Sequence, residues 1–135
     1  MQSGLKVIAP ASVSNLACGF DTLGVAIDIP SDEMIGKWVD TPGVHIIEIT
    51  GKKKDIPLAA DHNIAGITAT ALLKHLGEDG RGLELRIHKH IPGGSGLGSS
   101  ASSATAAAVL VNELLNRPFS FCTGWRDGGQ RIQAW

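Results

Sequence analysis

The sequence predicts an α+β fold in which helices pack on a mixed or antiparallel sheet. Three observations support this fold class: the opening third consists of short apolar runs between Pro, Gly and Asp, two later stretches have helical spacing of apolar residues, and a glycine-rich loop joins a strand to the second helix. With 135 residues, the chain is long enough for one domain with a hydrophobic core.

The first predicted elements are strands. Leu5 to Ala9 is a β-branched run ended by Pro10, and the polar stretch over residues 11–21 is predicted to be a loop. Later apolar runs, typical of successive antiparallel strands, cover residues 23–29, 34–39 and 44–49. A further strand alternates Leu83, Leu85 and Ile87 with Glu84, Arg86 and His88, so its two faces differ.

Two helices are predicted. Apolar residues lie three and four apart between Asn63 and Leu76, and Gly77 follows as a C-terminal stop. The second helix is alanine-rich and reaches Asn116, with a predicted buried stripe formed by Ala104, Ala108, Val111 and Leu115.

The segment before the second helix is the most informative. It contains four glycines within six residues, followed by Ser99 and Ser100 at the helix start. Glycines let backbone N–H groups converge, the serines supply caps and hydroxyls, and the helix dipole favours an anion, so a phosphate fits here. The alternative is an ordinary strand-to-helix turn capped by serine. No Lys follows the last glycine, as it would in a Walker A loop, and the spacing is not the dinucleotide fingerprint.

Composition excludes several classes of protein. With 13 acidic and 12 basic residues, 43% hydrophobic and 19% charged content, the chain is neither a disordered tail nor a basic nucleic-acid-coating protein. Cys18 and Cys122 lie far apart, which indicates reduced thiols. No apolar run is long enough to span a membrane, and the N-terminus lacks the apolar region of a signal peptide, so we expect a cytoplasmic protein without nucleic-acid or membrane partners.

The glycine segment resembles the phosphate loop of the GHMP kinases, Pro-x-x-x-Gly-Leu-Gly-Ser-Ser-Ala, from Pro92 to Ala101. Residues 9–24, with Pro-Ala-Ser, an Asn and Gly-Phe-Asp-x-Leu-Gly, are similar to the homoserine kinase family in particular. The resemblance runs from about Leu5 to Phe119. It implies the fold of the GHMP kinase N-terminal domain, which is ribosomal protein S5 domain 2-like.

The resemblance also implies an activity: transfer of the γ-phosphoryl of ATP, with Mg²⁺, to the hydroxyl of L-homoserine, giving O-phospho-L-homoserine for threonine biosynthesis. Asn15 and Asp21 would face the homoserine, Asp21 and Lys89 would be catalytic, and Ser99 and Ser100 would lie near Mg²⁺. The residues implied to bind ATP are Asn63, Lys89, Pro92, Gly93, Gly94, Ser95, Gly96, Leu97, Gly98, Ser99, Ser100, Ala101 and Ser102.

Structural alternatives exist for several of these residues. Asp21 could cap a turn, Asn63 could be only the helix N-cap, and Lys89 could be an exposed strand residue. His88 and His90 share a strand face, but no third metal ligand has suitable spacing, so a surface or partly buried pair is expected.

The resemblance divides the chain into an ATP-binding domain over residues 1–120 and a divergent tail over residues 121–135, with the family's C-terminal domain absent. When the tail is back-translated and read one nucleotide later from within the Cys122 codon, the permitted codons are compatible with the continuation of the family's sequence. We therefore interpret the tail as the product of a frameshift. A chain ending at Trp135 is expected to bind nucleotide weakly and to turn over little or no substrate. The other hypotheses are a mevalonate-type kinase, a non-catalytic nucleotide-binding module and a purely structural domain; a homodimer is compatible with the family.

Overall fold

The computed structural model describes residues 4–14, 16, 18, 23–52, 55–119 and 132–134. Its elements are, in chain order, β1 (Leu5–Val13), β2 (Val25–Val39), β3 (Gly43–Gly51), α1 (Ile64–His75), β4 (Gly82–Lys89), α2 (Ser99–Leu114) and β5 (Ile132–Ala134). A 3₁₀ turn, Ala60–His62, precedes α1. The strands form one sheet in the order β3-β4-β2-β1-β5. The predicted α+β class is therefore confirmed.

The predicted strands over residues 23–29 and 34–39 form one long strand, β2, and the predicted loop after Pro10 begins three residues late. β1 continues to Val13, and its register with β2 shifts from Pro10↔Ser31 to Ala11↔Ile27. Three residues of β2 therefore bulge from the pairing. Pro30 lies in this bulge, where its missing N–H interrupts no ladder bond between these strands.

The prediction of successive antiparallel strands is right for the direction of β3, which runs antiparallel to β2, but wrong for its pairing. This strand does not pair with β2, its neighbour in the chain, but runs parallel to β4, which in turn pairs antiparallel with β2. The reason is α1, which lies between β3 and β4 in the sequence. Parallel neighbours must be joined by a crossover connection, and α1 forms part of it. A hairpin between antiparallel neighbours would contain no helix.

The core lies between the two helices and one face of the sheet. That face presents alternate residues such as Val7, Met34 and Leu85, which are at most 1% exposed. α2 packs on β1, β2 and α1. None of the helices in the described ranges is long and apolar enough to cross a membrane.

The buried side of α2 differs from the predicted stripe. Ala104, Ala108 and Leu115 are only half-buried, and of the predicted residues Val111 alone is fully buried. The most buried positions of the helix are Ser102, Ser103, Ala106, Ala107, Val109, Leu110, Val111 and Asn112. The helix is covered on two sides, by the sheet and by α1, so the buried surface is broader than a single stripe.

Candidate functional site

The candidate site lies at one edge of the sheet, between two loops. Because β3 and β4 are parallel, the chain leaves both strands at the same edge, and the backbone N–H of Lys52 donates to the Lys89 carbonyl at 3.0 Å. A cavity of about 230 Å³ opens between the loop after β3 and the start of α2. Its walls include Pro57 and Asn63 on one side and Ser99, Ser100 and Ser103 on the other.

The glycine loop has the backbone geometry that its sequence predicts. Gly94, Gly96 and Gly98 have φ values of 74°, 73° and 70°, in the left-handed region that glycine adopts without strain. At Gly98 a Cβ would overlap the hydroxyl of Ser12, whereas at Gly94 and Gly96 a Cβ would meet nothing within 4 Å. The Ser12 N–H also donates to the Leu97 carbonyl at 3.0 Å, so the end of the loop is held against β1.

The start of α2 is arranged for an anion, although the predicted serine caps are wrong. Gly98 is the N-cap, no side chain among the described residues caps the helix, and Ser99 and Ser100 are its first two residues. The N–H groups at the start of a helix have no partner within the helix, and the helix dipole adds positive potential there. Backbone N–H groups beside two hydroxyls fit a phosphate, and serine hydroxyls are suitable oxygen ligands for a Mg²⁺ carried by that phosphate.

Lys89 is buried at the base of this site, not exposed on its strand. Its side chain is 2% exposed and forms an ion pair with Asp32 on β2. The Lys89 ammonium also donates to the Ser99 carbonyl at 3.1 Å and to the Ser103 hydroxyl at 2.8 Å. The second carboxylate oxygen of Asp32 accepts the backbone N–H groups of His90 and Ile91 at 2.8 and 2.9 Å.

Asp32 and Ser103 are thus parts of the site that the sequence analysis missed. For Asp32 and its partner Lys89, the sequence did contain a signal. Lys89 continues the buried alternation of Leu83, Leu85 and Ile87, and Asp32 lies two residues before the buried Met34, on the same face of β2. Two opposite charges on the inward faces of paired strands predict a buried ion pair.

Asn63 forms the opposite wall of the cavity and acts as the N-cap of α1. Its side-chain oxygen accepts the Ala65 N–H at 2.9 Å, and its amide nitrogen donates to the Pro57 carbonyl at 3.0 Å. The residue is 3% exposed. The capping role anticipated from the sequence is therefore present, and it also ties α1 to the loop after β3.

The other residues predicted to bind ligands lie in different surroundings. Ser102 is buried and donates to the Ala9 carbonyl at 3.3 Å, so it faces β1 and does not line the cavity. Ser95 donates to the Pro92 carbonyl at 2.6 Å within the exposed loop. Asn15 and Asp21 lie outside the described residues, so their predicted contacts with homoserine stay predictions.

The described residues contain no group of three or more His, Cys, Asp or Glu side chains that could hold a metal ion. His88 and His90 lie edge to face with their ring centroids 4.5 Å apart. They form the surface or partly buried pair that was expected. Contact of Ser99 and Ser100 with a metal ion stays a prediction.

Comparisons with known proteins agree with the resemblance. Residues 63–123 match the family described as GHMP kinases N terminal domain. A homoserine kinase of Xylella fastidiosa is 41% identical over 113 residues, which are 84% of this chain and 35% of that protein. A homoserine kinase of Pyrococcus furiosus is 42% identical over 82% of this chain and 36% of its own length. The chain thus spans about a third of the curated relatives it matches.

Solved structures agree in fold as well. The crystal structure of homoserine kinase from Cytophaga hutchinsonii has a TM-score of 0.84 and 42% identity, covering 89% of this chain and 38% of that one. A mevalonate kinase structure has a TM-score of 0.66 at 18% identity, which shows a shared fold alone. The described part of the chain therefore has the fold of the GHMP kinase N-terminal domain, and its sequence resembles the N-terminal third of homoserine kinases.

Proposed function

We propose that this chain is the ATP-binding part of a homoserine kinase, an enzyme that transfers the γ-phosphoryl of ATP to the side-chain hydroxyl of L-homoserine. The observation that carries the proposal is the start of α2, which no described side chain caps. There Gly98 joins the glycine loop to the helix beside the cavity. Identity of 41–42% to homoserine kinases over more than four fifths of the chain supports homoserine as the proposed substrate.

The chemistry of phosphoryl transfer suits such a site. Catalysis depends chiefly on positioning and on neutralising charge around the transferred group, and both can be supplied by fixed backbone N–H groups. In the proposal the loop from Pro92 to Ala101 cradles the triphosphate, and Ser99 and Ser100 lie near the bound Mg²⁺, which would neutralise charge on the β- and γ-phosphates. Asn15 and Asp21 hold the homoserine.

The cavity is small for a whole nucleotide. Its volume of about 230 Å³ lies below the roughly 300–1,000 Å³ of most small-molecule pockets, so it would hold only part of ATP. Asn63 would contact the nucleotide from the wall opposite α2.

We further propose that the protein acts in the cytoplasm in threonine biosynthesis, and that a homodimer is its assembly.

The test is MgATP binding to the purified 135-residue chain, with and without L-homoserine, by calorimetry. Gly96→Val is the variant expected to abolish binding, because valine cannot adopt the φ of 73° at this position without strain, and the loop would have to change its conformation. Asp79→Asn, on the exposed turn after α1, is the control expected to bind as the unchanged chain does. The absence of binding by a folded chain would contradict the proposed nucleotide site.

A non-catalytic nucleotide-binding module is the second candidate, since the backbone N–H groups at the start of α2 could bind an anion without any phosphoryl transfer. The two candidates differ in one measurement. A kinase releases ADP only when homoserine is present, whereas a module binds MgATP equally with or without homoserine and releases no ADP.

A further inference from the structure

The ion pair between Asp32 and Lys89 is unusually buried for charged groups. The two side chains are 3% and 2% exposed, whereas the Lys37–Glu84 pair, which also joins β2 and β4, is 45% and 19% exposed. Buried charges are retained only where each finds partners, because desolvation is costly. The partners of this pair therefore indicate its role.

Those partners connect the two ends of the glycine loop. Asp32 accepts the N–H groups of His90 and Ile91, the residues that begin the loop. Lys89 donates to the Ser99 carbonyl and the Ser103 hydroxyl in the first two turns of α2, where the loop ends. Through one ion pair, the entry to the loop and the start of the helix are held together at the base of the site.

The ammonium group of Lys89 has no donor left for a ligand. An ammonium carries three hydrogens, and its three acceptors are the Asp32 carboxylate, the Ser99 carbonyl and the Ser103 hydroxyl. A phosphate could be bound by Lys89 only if one of these bonds were broken. Its charge is also already neutralised by Asp32.

We propose that Asp32 and Lys89 are positioning residues that fix the glycine loop for phosphate binding, and that they act through the loop backbone without contacting the phosphates. This inference rests on the proposed nucleotide site and assigns Lys89 a different role from the catalytic one implied by the family resemblance. A Cβ at Gly94 or Gly96 would meet nothing within 4 Å, so close packing does not hold the middle of the loop at these positions. We therefore attribute the fixed conformation of the loop to contacts at its two ends.

The test compares two variants of the 135-residue chain. Asp32→Ala removes the acceptor of both loop N–H groups and leaves Lys89 unpaired. The double variant Asp32→Asn with Lys89→Gln removes both charges but offers the same kinds of donor and acceptor, because the Asn oxygen can accept from the loop and the Gln amide can donate to α2. Glu84→Gln, which removes the charge of the exposed pair on the same strands, is the control.

Two quantities are measured for each variant: hydrogen exchange of the backbone amides over residues 90–101, with residues 44–49 as the reference, and the Kd for MgATP. We expect Asp32→Ala to speed exchange in the loop and to raise the Kd by about tenfold or more, since bonds to a charged acceptor are lost. The double variant should restore both quantities to within about threefold, because neutral bonds replace the charged ones. The Glu84→Gln control should change neither.

The alternatives give different results. If the double variant protects the loop but binds MgATP as weakly as Asp32→Ala, Lys89 acts on the phosphates by its charge and the proposal is overturned. Unchanged loop exchange in Asp32→Ala overturns it too. If Asp32→Ala unfolds, so that residues 44–49 also exchange, the double variant alone decides: retained binding supports the proposal and lost binding overturns it. An unmodified chain that does not bind MgATP contradicts the proposed function, while loop exchange still tests the positioning.

Discussion

Replacement of Gly98 by alanine tests how closely the glycine loop approaches β1. Gly98 has a φ of 70°, and a Cβ there would overlap the Ser12 hydroxyl, while Gly94 has a φ of 74° and open space. The two positions have nearly the same φ. The main difference between the variants Gly98→Ala and Gly94→Ala is therefore the contact with Ser12.

The left-handed conformation costs an alanine about 1–2 kcal/mol. About 0.4–1 kcal/mol of this cost is offset, because alanine has less backbone freedom than glycine in the unfolded chain. Gly94→Ala should therefore destabilise the domain by about 1 kcal/mol. Gly98→Ala adds overpacking, which we place near 1 kcal/mol, the low end of its range, because the Ser12 hydroxyl can rotate away. The expected loss for Gly98→Ala is about 2 kcal/mol.

Urea denaturation of both variants gives these free energies. The same substitution in a Ser12→Ala background is the decisive control, because the remaining carbonyl oxygen and Cβ at position 12 would lie 3.4 and 3.7 Å from the new methyl group, which are ordinary contacts. The difference between Gly98→Ala and Gly94→Ala should then disappear. Equal losses for the two variants in the unmodified chain would refute the close packing of the loop on β1.

The remaining predictions concern Asn63 and Lys89. Asn63→Ala should cost about 1–2 kcal/mol in thermal denaturation, because α1 loses its N-cap, whereas Asn63→Ser should cost less because its hydroxyl oxygen can still accept the Ala65 N–H; equal losses in both would contradict the capping role. Lys89→Met should cost about 3–5 kcal/mol, since it leaves the buried Asp32 charge unpaired, while Arg117→Met should cost less than about 1 kcal/mol because the Arg117 side chain is itself 68% exposed. A loss for Lys89→Met no larger than that for Arg117→Met would show that the ion pair is not buried in solution.

The sequence predicted the kinds of elements better than their arrangement. Periodicity located α1 within one residue at each end, and Asn63 as its cap, because capping and apolar spacing are local properties. The order of strands is not local. β3 could be recognised as a strand, but its place beyond β4 depends on which neighbour α1 brings it to, a property of the whole chain.

The failure at the helix start has a local cause. Serine is a good N-cap, so Ser99 and Ser100 were expected to cap α2, yet the left-handed Gly98 occupies the cap position. The consequence favours ligand binding, because a serine side chain that capped the helix would satisfy one of the N–H groups that an anion needs. A rule derived from stable helices therefore fails at the place where the proposed site needs unsatisfied donors.

The position of Lys89 was predictable from alternation alone, and it changes how the site is interpreted. Leu83, Leu85 and Ile87 define the inward face of β4, so the next residue of the same parity must point inward unless the strand ends. A buried lysine needs partners for its charge, and Asp32 lies one position beyond the last pair, Glu33↔His88, of the β2–β4 register. Because this carboxylate also accepts the first N–H groups of the glycine loop, the buried charges and the loop form one structural unit.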